Sequence, residues 1–591
     1  MSSSPPVIVE GESSGGVAGH PDATRESSPR YSARLVALVL LLYSGLAVAS
    51  TWPLARDPGG QVPRGTLEST TIPLVSGWAL WWTADRMPAG FASYWDAPIF
   101  HPAPGAFVLS EAMPLVGMLA APLFWAGASP VLAYNAMLFF ALVLNGGVTF
   151  GLLRALGIHP WAAAAGGAIA VLLPYVQREV GVLTVVPIAG IVATLWALLA
   201  VARQPSPARG VVFGAAFGAT YLVCGQHALF LALALPPAAA WLWSRELKRR
   251  TTLVAAGAAL VTVAVLVMPV VRAQIEVFDK PHGERTESGA VAGSARAGTW
   301  WTAPWQPIVP IPGVRLSEEI HRRGLFPGAA KLALAIVGLA WALRQRNSRR
   351  FAALLATLAC GGLVLSMLPR IVVGDVSPYA WGRGVLPGFA QVRSFYRAGV
   401  LVHVAVALLA GWGVHAVLSA RTKLGGGRFS RVPAAIALAL TALAVVELWP
   451  VGQGFSPGPD FASWRPFVQW VERNVASDEA MAYFPFFSGG RMAGFEDDAR
   501  WMALQSGHGR AMVNGYSSYV PETRRKFARA TSRFPDAESH AAMWRYGVRW
   551  VVVDESWLAR TKRGEPDRPR WRLAHRFPAH DLLVYEVLNP S

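Results

Sequence analysis

Eleven apolar runs that meet or approach the length of a bilayer crossing constrain this chain more than any other feature. They lie at 35–52, 131–153, 161–176, 180–202, 210–223, 228–243, 253–271, 325–343, 351–368, 400–418 and 432–449. A crossing helix needs about 20 mostly apolar residues, since its backbone groups must be satisfied without water. Two further segments, 73–85 and 112–125, are short and interrupted by Pro or Trp. The expectation is that both lie along the membrane, the first as a Trp-rich amphipathic segment. If both crossed, the count would be thirteen, so the predicted class is a polytopic α-helical membrane protein with 11–13 transmembrane helices. Composition agrees. Only 15% of the 591 residues are charged and the mean hydropathy is +0.36, whereas soluble domains carry about 25% charged residues.

The formal charge of +18 would suit nucleic acid if it formed a basic stripe among exposed aromatics. It does not. Arg and Lys fall in short links between apolar runs, where they act as orientation signals, and no nucleic-acid partner is expected. With the N-terminus in the cytoplasm, the basic links at 154, 203–209, 245–250, 344–350 and 420–431 are all inside. The links at 177–179, 225–227, 272–324 and 369–397 are then outside, with the long loop 53–111 and the C-terminal part. This points to a multi-pass protein of a bacterial inner membrane.

Residues 1–33 are rich in Ser, Gly, Pro and Glu and are expected to be a disordered cytoplasmic tail. The first apolar run lacks a small-residue cleavage site and reads as a retained helix. Residues 34–452 form the transmembrane domain. Residues 453–591 contain no run long enough to span. They read as an extracytoplasmic α/β domain, with a helix over 461–476, strands over 480–486, 511–518 and 548–554, and a final hairpin. Cys224 and Cys360 lie in or beside apolar runs, so no disulfide framework is implied.

No Walker loop, GxSxG, HExxH or Rossmann glycine set is present. Chemistry must come from scattered charged residues that the topology places on the outer face. Asp96 sits in a Pro-rich aromatic stretch and could order the turn, bind a metal, or serve as a catalytic carboxylate of the outer loop. His101 and Glu111 share that choice between a structural and a ligand role. Glu179, with Asp96 or Glu68, could complete an oxygen-ligand site for Mg²⁺ or Mn²⁺. Arg393 and Arg397 stand four apart and would share a helix face if the helix has begun there. Paired guanidinium donors suit a phosphate. Gln226 and His227 mark an outer helix junction, where His227 could line a polar cavity.

Several stretches resemble the GT-C class of membrane glycosyltransferases. A single helix leads into a long outer loop. WDAPIFHP (95–102), SPVLAYNAMLFFALVLNGG (129–147), LLPYVQREVGVL (172–183) and LFPGAAKLALAIVGLAWAL (325–343) are similar to successive parts of that layout. LPGFAQVRSFYRAGVLVHVAVALLAGWG (386–413) is the most specific piece. NGYSSYVPE (514–522) with YGVRWVVVD (546–554) resembles the outer domain of GT-C-like proteins. The resemblance implies a donor sugar carried on a polyprenyl phosphate and a polysaccharide, lipid or protein acceptor. It implies an acidic residue early in the first outer loop that acts as base or orients the acceptor, and here the nearest match is Glu68 in GTLESTTIP. It also implies a basic residue near a late helix for the donor phosphate, matched by Arg393 and Arg397. A non-catalytic scaffold for envelope polysaccharide or lipid assembly is the alternative. A transporter or flippase is a weaker one, because ionisable residues in mid-helix are few and only Glu447 lies near a helix end.

Overall fold

The computed structural model describes residues 33–242, 250–278, 286–316, 324–420, 432–486, 492–566 and 569–589. The N-terminal tail lies outside the described residues. Helix α1 (Ala33–Ser50) leads through strand β1 (Gln61–Gly65) to α2 (Thr71–Arg86) and α3 (Pro114–Trp125). The bundle continues with α4 (Pro130–Ala155), α5 (Pro160–Val171), the short α6 (Pro174–Arg178), α7 (Ala189–Arg203), α8 (Pro207–Val223), α9 (Gly225–Ala239) and α10 (Arg250–Phe278). After α11 (Glu287–Ala292) come the two-residue strands β2 (Thr302–Ala303) and β3 (Arg315–Leu316). The remaining bundle helices are α12 (Ala329–Arg344), α13 (Arg349–Met367), α14 (Pro378–Val385), α15 (Val400–Ser419) and α16 (Val432–Val446).

Each of the eleven apolar runs contains a helix. Among the described residues, seven helical segments are long and apolar enough to cross a membrane: Ala33–Ser50, Pro130–Ala155, Pro160–Arg178, Leu183–Arg203, Arg250–Val277, Arg349–Arg370 and Phe395–Ser419. The other runs form the shorter α8, α9, α12 and α16. Small residues let these helices approach closely. Gly210, Gly214 and Gly218 on α8 face Ala255, Ala259 and Leu266 of α10, and a Cβ on Gly210 would meet the Ala255 carbonyl. Gly413 of α15 meets the Leu334 backbone of α12 in the same way. In lipid such packing replaces the hydrophobic drive that water supplies elsewhere. The expected outer loop 272–324 begins later than the hydropathy indicates, because α10 continues to Phe278.

The Trp-rich segment does not lie along a membrane surface as expected. Eleven of the sixteen residues of α2 are buried. Its Trp78 indole donates to Gln505 Oε1 at 2.8 Å and packs edge-on against Phe107. Trp82 donates to the Tyr94 carbonyl at 2.8 Å. The helix is wedged between α3 and α4 on one side and the C-terminal domain on the other, so its tryptophans form the core of that junction.

The C-terminal part opens on β4 (Gly454–Pro457), which pairs antiparallel with β1. It continues through α17 (Arg465–Asn474), β5 (Ala480–Phe484), α18 (Met492–His508), β6 (Ala511–Met512), α19 (Glu522–Ala530), α20 (Ala537–Arg545), β7 (Val548–Asp554), α21 (Glu555–Arg560), β8 (Trp571–Phe577) and β9 (Leu582–Val587). The sheet order is β6-β5-β7-β9-β8, with β5 parallel to β6 and β7, and β9 antiparallel to β7 and β8. The expected strand over 511–518 shrinks to two residues. Asn514 takes over the pairing: its amide accepts from Tyr483 N at 2.8 Å and donates to Tyr483 O at 3.1 Å. Beyond β6 the first loop supplies a further extended segment. Met512 N donates to Pro98 O, His101 N to Met512 O, and Phe100 N to Asn514 O, at 3.0 to 3.1 Å. The loop is therefore hydrogen-bonded to the sheet edge.

Candidate functional site

Where the bundle meets the α/β domain, four charged side chains meet in a largely buried cluster. Pro174 occupies the first turn of α6, and the helix stops after Arg178, leaving Arg178 and Glu179 inside the protein. Arg397 stands in the 3₁₀ turn Phe395–Gly399 that precedes α15. Its guanidinium lies 3.7 Å from Glu179 and 3.8 Å from Glu111, and donates to Gln226 Oε1 at 3.1 Å. Its side chain is 12% exposed, while that of Glu111 is 44% exposed. Tyr396 donates to Glu179 at 3.1 Å, and the Arg178 guanidinium lies over its ring at 4.8 Å. Arg178 Nε stands 3.0 Å from Glu179 Oε1 but out of line for a hydrogen bond, and its Nη1 donates to the Gly324 carbonyl at 3.1 Å. Two arginines thus share one buried carboxylate. Isolated charges at this depth would cost several kcal/mol each.

A layer of aromatic and imidazole groups adjoins the cluster. Tyr175 OH is 3.3 Å from His227 Nε2, and its ring lies 5.7 Å from that of His403. His403 Nε2 is 3.2 Å from the Leu325 carbonyl.

The loop segment carrying Glu68 is pressed onto the same turn. Thr66 N donates to the Arg178 carbonyl at 3.3 Å. Gly65 has φ +59°, and a Cβ there would stand 2.6 Å from that carbonyl, so glycine is required on both counts. Leu67 and Ile72 pack on Val182, Val185 and Cys224, two residues before Gln226. Two residues of chain reach at most about 7 Å, so Glu68 is tied near Thr66 and hence near the Arg178 backbone. Glu68 itself is exposed. Its carbonyl accepts from Arg64 at 3.0 Å, and its carboxylate has no partner among the described residues.

The remaining candidates are placed elsewhere. Arg393 is exposed and lies ahead of the turn that holds Arg397, with residues 392–394 non-helical. The two arginines therefore do not share a helix face as expected from their spacing. Asp96 accepts from Gly105 N at 2.8 Å and orders its own loop. His101 faces the C-terminal domain near Gly547, and burial lowers its pKa. Glu111 and His227 are both at the cluster. Glu179 is surrounded by Arg178, Tyr396 and Arg397, which is a poor setting for a cation. No group of three or more His, Cys, Asp or Glu able to hold a metal occurs among the described residues. The expected Mg²⁺ or Mn²⁺ site therefore does not fit the residues present. A cavity of about 400 Å³ lies to one side, lined by Gly59, Gly60, Ser129, Gly458, Pro459, Asp460 and Phe461, none of them in the cluster.

Sequence reasoning missed Arg178 and Tyr396. The signal was the charged pair RE inside an apolar stretch, where a desolvated charge needs a partner.

The fold is that of a GT-C-like polytopic α-helical membrane protein with a C-terminal α/β domain. It is similar to mycobacterial arabinofuranosyltransferase AftD, with a TM-score of 0.57 and 14% identity. The match covers 95% of this chain but 42% of AftD, so the chain spans about two fifths of that protein's length. ArnT from Cupriavidus metallidurans, solved bound to undecaprenyl phosphate, matches at TM-score 0.47 and 13% identity over 94% of this chain and 98% of its own. No protein-family model and no curated sequence matches the chain.

Proposed function

We propose that the chain is an integral-membrane glycosyltransferase that moves a sugar from a polyprenyl-phosphate donor to an envelope acceptor on the extracytoplasmic face. The observation that carries this reading is the joining of Arg397 and its carboxylates to the loop segment of Glu68 through the Arg178–Glu179 turn. The charge bias of the short links supports an extracytoplasmic, inner-membrane placement of that end. The Arg397 guanidinium takes the donor phosphate, displacing the half-exposed Glu111 while the buried Glu179 stays. Arg393, exposed on the approach, adds positive charge. The acceptor hydroxyl gives its proton to Glu68 as its oxygen bonds the anomeric carbon. The bond from that carbon to the phosphate oxygen breaks, and its electron pair stays on the lipid phosphate, where Arg397 stabilises the developing charge. No step needs a metal ion.

The test is transfer from a synthetic polyprenyl-phosphate sugar by purified protein carrying Glu68→Gln. Transfer should fall about 10²-fold or more, with the melting temperature and donor binding unchanged. Wild-type rates in this variant would remove Glu68 from the mechanism. A second reading, a non-catalytic scaffold, is supported by the internal engagement of Arg397 by two carboxylates. Mass spectrometry of co-purified lipid separates the two: a polyprenyl-phosphate sugar favours the enzyme, and ordinary phospholipid alone favours the scaffold.

A further inference from the structure

We propose that residues 371–385 form an apolar finger lying in the membrane interface beside the site, held there by anionic lipid. The argument starts on α13, which exposes Leu363 (40%) and Val364 (49%) toward the end that leads to this segment. On a membrane-crossing helix those side chains face acyl chains. Exposed apolar side chains continue along the chain past Arg370 with Val372, Val373 and Val376, and then on α14 with Trp381 and Val385. All five are 57–66% exposed.

This is no helix with a single apolar stripe. The opposite side of α14 is already packed: Tyr379 and Gly382 are buried, Tyr379 lies 5.8 Å from Phe389 and 5.3 Å from Phe395, and a Cβ on Gly382 would meet the Phe389 ring. The segment is apolar toward the protein and apolar away from it. Contiguous exposed patches of this kind mark an interaction surface. Lipid is the occupant favoured here because the exposed apolar residues follow in the chain directly from the end of a helical segment, Arg349–Arg370, long and apolar enough to cross a membrane. Trp381 suits the headgroup level. Arg370, whose Nη2 donates to Val291 O, Arg383 and Arg393 place three positive charges along this stretch against two acids, Asp375 at the tip and Glu287 near Tyr379, a bias that complements anionic headgroups.

The hairpin geometry sets how the finger lies. Val373 N donates to Val376 O at 2.9 Å, and Val376 N to Val373 O at 3.1 Å, so the backbone is satisfied locally. The turn between them is Gly374, at φ +59°, and Asp375. A carboxylate at the tip excludes deep insertion, so the finger lies flat, with Asp375 at the headgroups and the valines about 5–10 Å deep. Phe389 and Phe395 carry the inner face of α14, and Arg397 follows Phe395 by two residues. The finger therefore sets the depth of the Arg397 turn relative to the lipid. This inference does not depend on glycosyl transfer.

The test uses the full chain with Cys360→Ala, Cys224 being buried. Nitroxide labels are placed at Val373→Cys or Val385→Cys in vesicles of phosphatidylethanolamine and phosphatidylglycerol. Collision with oxygen should exceed collision with a water-soluble nickel chelate several-fold at both sites. A control label at Ala574→Cys, on the exposed strand β8, should show the reverse. Replacing phosphatidylglycerol with phosphatidylcholine should lower the ratio at both finger sites, and an unchanged ratio would remove the anionic part of the proposal. Chelate-dominated collision at the finger sites would overturn it. So would exclusion of both reagents, whether with spin–spin broadening, which would mean a second copy covers the patch, or without it, which would mean another protein surface does.

Discussion

The Glu179 carboxylate lies 3.7 Å from the Arg397 guanidinium, joining a turn of the first half of the bundle to the start of α15. Glu111 touches the same guanidinium from the first loop, at a longer distance and with more solvent contact. If Arg397 holds the donor phosphate, Arg397→Ala lowers transfer by about 10²–10³-fold, the cost of removing one preorganised charge donor. Arg397→Lys keeps the charge but loses the planar fork and should fall between. Arg393→Ala, at an exposed site, should change transfer no more than a few-fold. Equal losses at 393 and 397 would contradict the difference in burial.

Glu179 is itself a stability determinant. Glu179→Ala leaves Arg178 and Arg397 buried beside each other without their shared carboxylate. A loss of about 3–5 kcal/mol is expected, seen as a lower melting temperature in detergent. Glu111→Ala, removing the half-exposed contact, should cost under about 1 kcal/mol.

Lys331 and Glu447 form a second buried pair, 3.5 Å apart, in which Glu447 also accepts from Ala330 N at 2.8 Å at the start of α12. Here Lys331→Met alone should destabilise strongly, while Lys331→Met combined with Glu447→Gln, which keeps an acceptor for the Ala330 N–H, should recover much of the loss, since a buried pair is costly mainly when broken. A double-mutant cycle on thermal melts measures the difference. This pairing also gives Glu447 a structural role.

Trp78 joins the first loop to the α/β domain through Gln505. Trp78→Ala should cost about 3–5 kcal/mol and open the loop to limited proteolysis around residues 98–101, where it pairs with the sheet edge. Protection equal to wild type would mean that the backbone pairing alone secures the loop.

The α/β domain should lose stability as pH falls from about 6.5 toward 3. His508 is buried, its Nδ1 accepts from Arg510 N at 3.1 Å, and its Nε2 lies 3.5 Å from Tyr483 OH. Burial, followed by the Arg510 charge, pushes its pKa down to about 3. In that window the unfolded chain binds the proton and the folded one does not, so stability falls by up to about 1.4 kcal/mol per pH unit. Asp498 has a pKa raised by burial. It acts in the opposite sense, at pH values above the ordinary carboxylate range. His508→Asn, which keeps an acceptor for Arg510, should flatten the melting-temperature slope between pH 6.5 and 4.5.

Much of the fold is legible in local pattern. The runs at 400–418 and 351–368 contain α15 and α13 almost residue for residue, because a crossing helix must be apolar along its whole length. The strand over 548–554 is β7 at the same limits, since a strand buried on both faces is continuously apolar. The segment 73–85 shows where pattern fails. A Trp-rich helix suited to a membrane surface is equally suited to the inside of a domain junction, and only the partner Gln505 distinguishes the two. The candidate site divides in the same way. Arg397, Glu111, Glu179 and His227 were visible as charged or polar residues at the ends of apolar runs. Arg178 was passed over beside Glu179, and the spacing of Arg393 from Arg397 misled because the helix starts after both.

The sequence by itself determined that the chain is a helical membrane bundle with a polar C-terminal domain, since hydropathy and period are properties of consecutive residues. Tertiary structure alone decided that Glu179 and Arg397 share one charge cluster, that Thr66 rests on Arg178, and that the first loop is bonded to the sheet edge. The physical reason is that a buried charge states its need for a partner locally, while the identity of that partner depends on which distant segments the packed helices bring together.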